Sequence, residues 1–271
     1  MNRTTTILLL STLSLAACSD ASDPTPASPE PKVDAPAAGA PADAGGGGQA
    51  DAPARSAEEH VVVVVGTPFT ADMAAMQERH DQVASGGEAQ AKAAGDAGHK
   101  VMLGTTLLGT TENQFLAIDR WPDPTHMDAV YGNPDFAKAL GSLFAAPPTV
   151  GTYVKRSTWK SWGAFDSATA DPHYFVVVRG TLAESDPAKA QAAHDAVAGA
   201  GEAQAKAAGD LAHLVFTGRD DARQFLAIDA WNDSGPIEAF YGDPQFQAAF
   251  ASLFAAPPTI GVYESTDWHQ W

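Results

Sequence analysis

A single cysteine, Cys18, stands among 271 residues, so the chain can form no internal disulfide and no multi-thiolate zinc site. Basic residues are scarce as well: 16 Lys and Arg face 33 Asp and Glu, a net charge of -17. Such a surface repels polyphosphate, which excludes nucleic acid as a partner. No apolar run approaches the roughly 20 residues that a membrane-crossing helix requires. Nucleophile-elbow, zincin, P-loop and dinucleotide motifs are all missing, which argues against hydrolase, metalloprotease and nucleotide-binding functions.

What is present begins with an address. Arg3 precedes a short apolar stretch from Ile7 to Leu15, the length of a secretory signal rather than a membrane span. It ends in Leu15-Ala16-Ala17-Cys18, which resembles the lipobox of bacterial lipoproteins. The resemblance implies a signal peptide over 1–17, lipidation at Cys18 and a membrane anchor. Ser19 after the cysteine favours the outer membrane, facing the periplasm or exterior. An ordinary secretory peptide with an incidental cysteine is the plainer alternative. Residues 18–57 are mostly Ala, Pro, Gly, Asp and Ser with one Val and no aromatic side chain, and read as a disordered tether with a reach of about 35 Å.

The remainder is one unit written twice. Val61–Gly104 and Phe175–Gly218 share 25 of 44 positions, and Gln114–Tyr153 and Gln224–Tyr263 share 24 of 40. Between the blocks, the turn Thr105–Asn113 is four residues longer than Arg219–Arg223. Repeat 1 spans 58–163, a linker 164–172, and repeat 2 173–271. In each copy a Val-rich strand leads to a helix capped by Asp72 or Asp186 and closed near Gly95 or Gly209. Gly86-Gly87 could interrupt that first helix. Two strands follow, His99–Leu103 and Gln114–Trp121 in repeat 1. A second helix covers 125–144, with a candidate break at Gly132-Asn133-Pro134, before a last strand over 150–157. The β-α-β-β-α-β order is ferredoxin-like. Both strand faces are apolar, so the α+β repeats are expected to pack sheet to sheet as a pseudo-dimer within one monomeric chain.

The strand Phe115-Leu116-Ala117-Ile118-Asp119-Arg120-Trp121, followed by Tyr131-Gly132-Asn133-Pro134-Asp135-Phe136, resembles the dimeric α+β barrel superfamily, in particular its antibiotic-biosynthesis-monooxygenase-like group. Phe225–Trp231 and Tyr241–Phe246 repeat the pattern. The resemblance implies a pseudo-dimeric α+β barrel with one of several uses: cofactor-free oxygenation of polyphenols, haem binding or degradation, small-molecule sensing, or no catalysis.

Candidate chemistry sits at equivalent places in the copies. His80 and His194 lie on the helix stripe facing the sheet, where a general base or haem ligand competes with a buried core histidine. His99 and His213 open the next strand. A continuous helix is expected to hold His80 and His99 about 20 Å apart. By alternation Asp119 and Asp229 share a face with Phe115, Ala117 and Trp121, here assigned to the barrel interior, where a desolvated carboxylate could act as a base. Phe115, Trp121 and Tyr131, with Phe225, Trp231 and Tyr241, are candidate ligand-lining aromatics. Arg179 replaces Val65 and is expected to make the two cavities unequal. The pairs Trp159/Trp162 and Trp268/Trp271 read as a clamp on the seam. The expected function is binding of a small, partly apolar molecule, with no metal and no assured cofactor.

Overall fold

The computed structural model describes residues 58–164 and 173–271. The expected signal peptide, Cys18, the expected tether and most of the expected linker lie outside the described residues. Repeat 1 is built from β1 (His60–Gly66), α1 (Met73–Ala93), β2 (Gly98–Gly104), β3 (Phe115–Trp121), α2 (Pro124–Tyr131), α3 (Pro134–Gly141) and β4 (Thr149–Lys155). Repeat 2 follows with β5 (Tyr174–Thr181), α4 (Pro187–Ala208), β6 (Asp210–Gly218), β7 (Gln224–Trp231), α5 (Gly235–Tyr241), α6 (Pro244–Ala251) and β8 (Thr259–Ser265).

The eight strands close into one antiparallel barrel in the order β1-β3-β2-β8-β5-β7-β6-β4. Closure therefore needs both copies. Two seams, β2 on β8 and β4 on β6, join the halves through registers three residues long, Met102–Gly104 against Tyr263–Ser265 and Tyr153–Lys155 against Phe216–Gly218. Sheet faces thus shelter each other as the apolar alternation requires, and the barrel formed by the described strands is closed.

Local signals explain the elements. Asp72 accepts from the amides of Ala74 and Ala75, and Asp186 from those of Ala188 and Lys189, capping the long helices. α1 runs unbroken through Gly86-Gly87, because tertiary packing outweighs the weak helix propensity of two glycines. The second helix does break: Asn133 and Asp243 cap new helices with proline at the first turn.

One expectation about the faces is corrected. The barrel interior is filled by Val61, Val63, Val65, Leu116, Ile118, Phe175, Phe216 and Leu226. Phe115, Ala117, Asp119 and Trp121 point the other way, beneath the helices. Apolar side chains already fill the interior of this eight-stranded barrel, and the carboxylate and its partners lie on the outer face beneath the helices. Arg179 belongs to the interior side of β5, where its charge acts on Tyr153 and Tyr263. It lines neither helix-covered cavity.

Candidate functional site

Cross-strand register assembles the polar centre. In β2 and β3, His99 sits directly opposite Asp119, and in β6 and β7 His213 sits opposite Asp229. Opposed residues on one face bring their side chains together. His99 Nδ1 lies 2.5 Å from Asp119 Oδ1, and the Tyr131 hydroxyl, from the end of α2, donates to Asp119 Oδ2. His80, buried under α1, places its Nε2 3.2 Å from His99 Nε2, with the rings stacked. On its far side His80 Nδ1 is 2.9 Å from Asp81 Oδ1.

The expected separation of His80 and His99 is thus overturned. The helix rises about 20 Å after His80, but the chain turns at Gly95 and four extended residues retrace about 13 Å of it. Two inward-reaching imidazoles span the rest.

Protonation follows from the partners. Burial drives His80 down to about 4, with the neighbouring His99 charge adding to the fall and Asp81 only partly opposing it. Burial also works against a charge on His99, but Asp119 and Asp96 outweigh it and hold His99 above its ordinary value. Burial alone would raise Asp81; the His269 amide and the His80 ring instead keep it below the usual carboxylate range. Taken with the hydrogen-bond geometry, these directions favour one arrangement. Neutral His80 donates Nδ1–H to Asp81 and accepts at Nε2, while the His99 imidazolium donates to His80 and to Asp119. Tyr131 stays a phenol, since burial and the Asp119 charge push its ionisation well up.

Repeat 2 reproduces the chain: Asp195, His194, His213, Asp229 and Tyr241, with the imidazole nitrogens again 3.2 Å apart.

The tryptophan pairs do clamp the seam, and they do so crosswise. Trp268 and Trp271, from the end of repeat 2, pack on His80 and His99 of repeat 1 at 5.4 and 4.6 Å. Trp159 and Trp162, from repeat 1, pack on His194 and His213 at 5.2 and 4.6 Å. Backbone bonds fix both exchanges: the His269 amide donates to Asp81 and the Lys160 amide to Asp195.

Here the copies part. Between α1, α2, α3 and the outer face of the repeat-1 strands lies a cavity of about 530 Å³. Its walls include Phe115, Trp121, Tyr131, His80, His99 and Asp119. The corresponding space in repeat 2 measures about 40 Å³, and of its candidate residues only His213, Asp229 and Tyr241 reach it. Phe225, Trp231 and His194 are packed away in the core. The cause is two substitutions. Phe240 and Phe250 stand where repeat 1 has Val130 and Leu140, and they pack on Phe246 in the space that stays open in repeat 1.

Two wall residues escaped the sequence reading. Asp96, at the turn after α1, is only 7% exposed and lines the cavity. Burial, reinforced by the Asp119 charge, raises it to about 7. Its repeat-2 equivalent Asp210 is pushed up to about 9 for the same reasons. Trp271 lines the repeat-1 cavity from the other repeat. The aspartate was readable as identical in both copies; the crossing of the tryptophan was not.

The residues do not fit an axial haem ligand as folded. Nε2 of His80 and of His194 is committed to the partner imidazole, so ligation would require each pair to open. Among the described residues no group of three His, Cys, Asp or Glu is placed to hold a metal ion.

No family model and no curated protein matches the chain. Solved structures do. An anthrone oxidase-like protein superposes with a TM-score of 0.54 at 16% identity, over 80% of this chain and 94% of its own. A protein provisionally assigned as a monooxygenase from Lactobacillus acidophilus gives 0.51 at 8% identity, over 79% and 99%. A similar assignment from Fusobacterium nucleatum gives 0.53 at 9%, over 79% and 98%. The chain therefore has the α+β barrel fold of monooxygenase-like proteins, and the likeness extends over both repeats.

Proposed function

We propose that the protein is a membrane-tethered binding protein whose repeat-1 cavity takes a small, partly apolar molecule. In this reading Cys18 carries the lipid and residues 18–57 hold the barrel away from the membrane surface. One observation carries the binding reading: two copies with the same polar chain differ more than tenfold in open volume, about 530 against 40 Å³. A cavity of that size falls in the range of small-molecule sites, with apolar walls and a few convergent polar groups. Repeat 2, whose space is closed by its own phenylalanines, serves as the structural half that completes the barrel.

The decisive experiment gives repeat 1 the side chains of repeat 2. Val130→Phe with Leu140→Phe should leave the fold intact and abolish uptake of an apolar aromatic probe, the methyl ether of nitronaphthol. Unchanged uptake would refute the cavity as the binding site. Cell fractionation of wild type against Cys18→Ala tests the anchor; loss of the membrane-bound fraction is expected.

A second reading, cofactor-independent monooxygenase-like catalysis, is favoured by the Asp81–His80–His99–Asp119–Tyr131 chain along the cavity wall. Oxygen uptake with a phenolic substrate, lost in Asp119→Asn, would support it.

A further inference from the structure

Resting on the repeat-1 cavity as the binding site, we infer that Asp96 is the group that accepts a proton from a weakly acidic hydroxyl on the bound molecule. The argument is an inventory of open acceptors on the wall. Both nitrogens of His80 are taken, by Asp81 and His99. Both nitrogens of His99 are taken, by His80 and Asp119. Both oxygens of Asp119 are taken, by His99 and Tyr131. The residues first singled out as bases are therefore each held by two hydrogen-bonding neighbours, which leaves them less free than Asp96 to take a proton from a ligand. Asp96 differs: Oδ1 accepts the Gly98 amide at 3.0 Å, and the Trp271 indole N–H also faces the carboxylate, in a contact too loose to satisfy that N–H. A carboxylate that is nine-tenths buried, in a cavity wall, with one firm hydrogen bond has room for a donor from the cavity.

The surroundings decide which donor. Asp96 is faced by the His99 imidazolium and the Asp119 carboxylate from the strands, by the Tyr131 phenol from α2 and by the Trp271 indole from repeat 2. Arg79 stands on the same wall. An ammonium ligand would meet the charges of His99 and Arg79, whereas a neutral hydroxyl meets no such opposition. In the transfer, the ligand O–H bond breaks, an O–H bond forms on Asp96, and the electron pair stays on the ligand oxygen. The negative charge moves from the carboxylate to that oxygen, still beside the His99 imidazolium. No oxidant or other reactant is needed. The Asp96 carboxyl, raised to about 7 by burial and Asp119, is suited to such exchange near neutral pH.

The test compares nitronaphthol with its methyl ether, using the visible absorbance of the naphtholate as the readout. Wild type should bind the hydroxyl compound about tenfold or more tighter than the ether, and the bound spectrum should show more naphtholate than free solution at the same pH. Asp96→Asn should erase both the preference and the spectral shift while still binding the ether. Asp96→Glu should recover part of the shift, which a merely structural aspartate would not require. Equal affinity for both compounds, or a shift that survives in Asp96→Asn, would overturn the assignment of Asp96. Failure of wild type to bind either compound would instead overturn the cavity reading on which it rests.

Discussion

Repeat 1 and repeat 2 carry the same five-residue polar chain, yet one copy surrounds a cavity and the other a plug of phenylalanine. The difference teaches that the polar chain and the cavity are separable. Repeat 2 retains its imidazole pair without usable space, so the pair has a structural duty that selection on a ligand alone does not explain. That duty is visible in the crossed tryptophans: each imidazole pair is the platform on which the other repeat's terminal segment docks. In repeat 1 the same platform also forms a wall of the open cavity.

Breaking the crossed clamp should have the largest effect. Trp159 and Trp268 are buried, and truncating a buried tryptophan to alanine costs about 3–5 kcal/mol. The distinctive expectation is where the damage falls. Trp159→Ala should raise amide exchange in α4 and β6 of repeat 2, and Trp268→Ala in α1 and β2 of repeat 1. Damage confined to the mutated repeat would contradict the exchange.

Next comes the plug. Phe240→Val with Phe250→Leu should open repeat 2 and cost about 2–4 kcal/mol, measured by denaturant unfolding, because lost contacts leave a void. The reverse pair in repeat 1, Val130→Phe with Leu140→Phe, fills space that already exists. It should cost no more than about 1 kcal/mol. Comparable losses from the two pairs would mean that the repeat-1 cavity is not a designed opening.

Acid and base should probe the polar chains from opposite sides. His80 has a folded value of about 4 against an ordinary 6.5. Above pH 6.5 it is neutral in both states and contributes no pH dependence. As pH falls from 6.5 to about 4, only the unfolded chain takes up the proton, so stability declines by up to about 3 kcal/mol. His80→Phe should flatten that slope. Asp96 and Asp210 behave inversely, being raised from 3.8 to about 7 and about 9. Their neutral forms favour the fold below pH 3.8, and the advantage is lost as pH rises toward those folded values. Asp210→Asn should therefore raise Tm at pH 8 by more than Asp96→Asn does, while neither changes it at pH 3.5. A larger gain from Asp96→Asn would reverse the ranking of the two environments.

Much of this was legible in the chain. Internal identity showed the repeats, alternation in Phe115–Trp121 showed two buried faces, Asp72 and Asp186 marked helix starts, and Gly132-Asn133-Pro134 marked a candidate break. Alternation could not say which face turns inward, since both are apolar; that is settled by which face the helices cover, a tertiary matter. The contact of His80 with His99 depends on the angle at which α1 crosses β2, a tertiary quantity with no local signal. The unequal cavities were anticipated, but at Arg179 rather than at Val130 and Leu140. A charge catches the eye in a Val strand, whereas exchanging one apolar residue for a larger one is silent until the helix face is known.

The seams between the repeats supply the smallest effect. At β2 on β8, the longer turn of repeat 1 folds over the join, with Thr110 Oγ1 accepting the Val262 amide at 2.7 Å and Thr105 Oγ1 donating to the Val262 carbonyl at 3.0 Å. At β4 on β6, the shorter turn of repeat 2 uses the Arg219 amide on the Thr152 carbonyl and a paired contact of the Arg219 guanidinium with the Asp128 carboxylate. The first arrangement is uncharged and part-buried; the second is an ion pair whose aspartate is more than half exposed. Exposed ion pairs are screened and contribute at most about 1 kcal/mol. Arg219→Ala should thus lower stability by less than about 1 kcal/mol in dilute buffer, and the difference should vanish at molar salt. A deficit that persists at high salt would show that the short turn holds its seam through packing of the arginine stem, and the two seams would then be alike in kind.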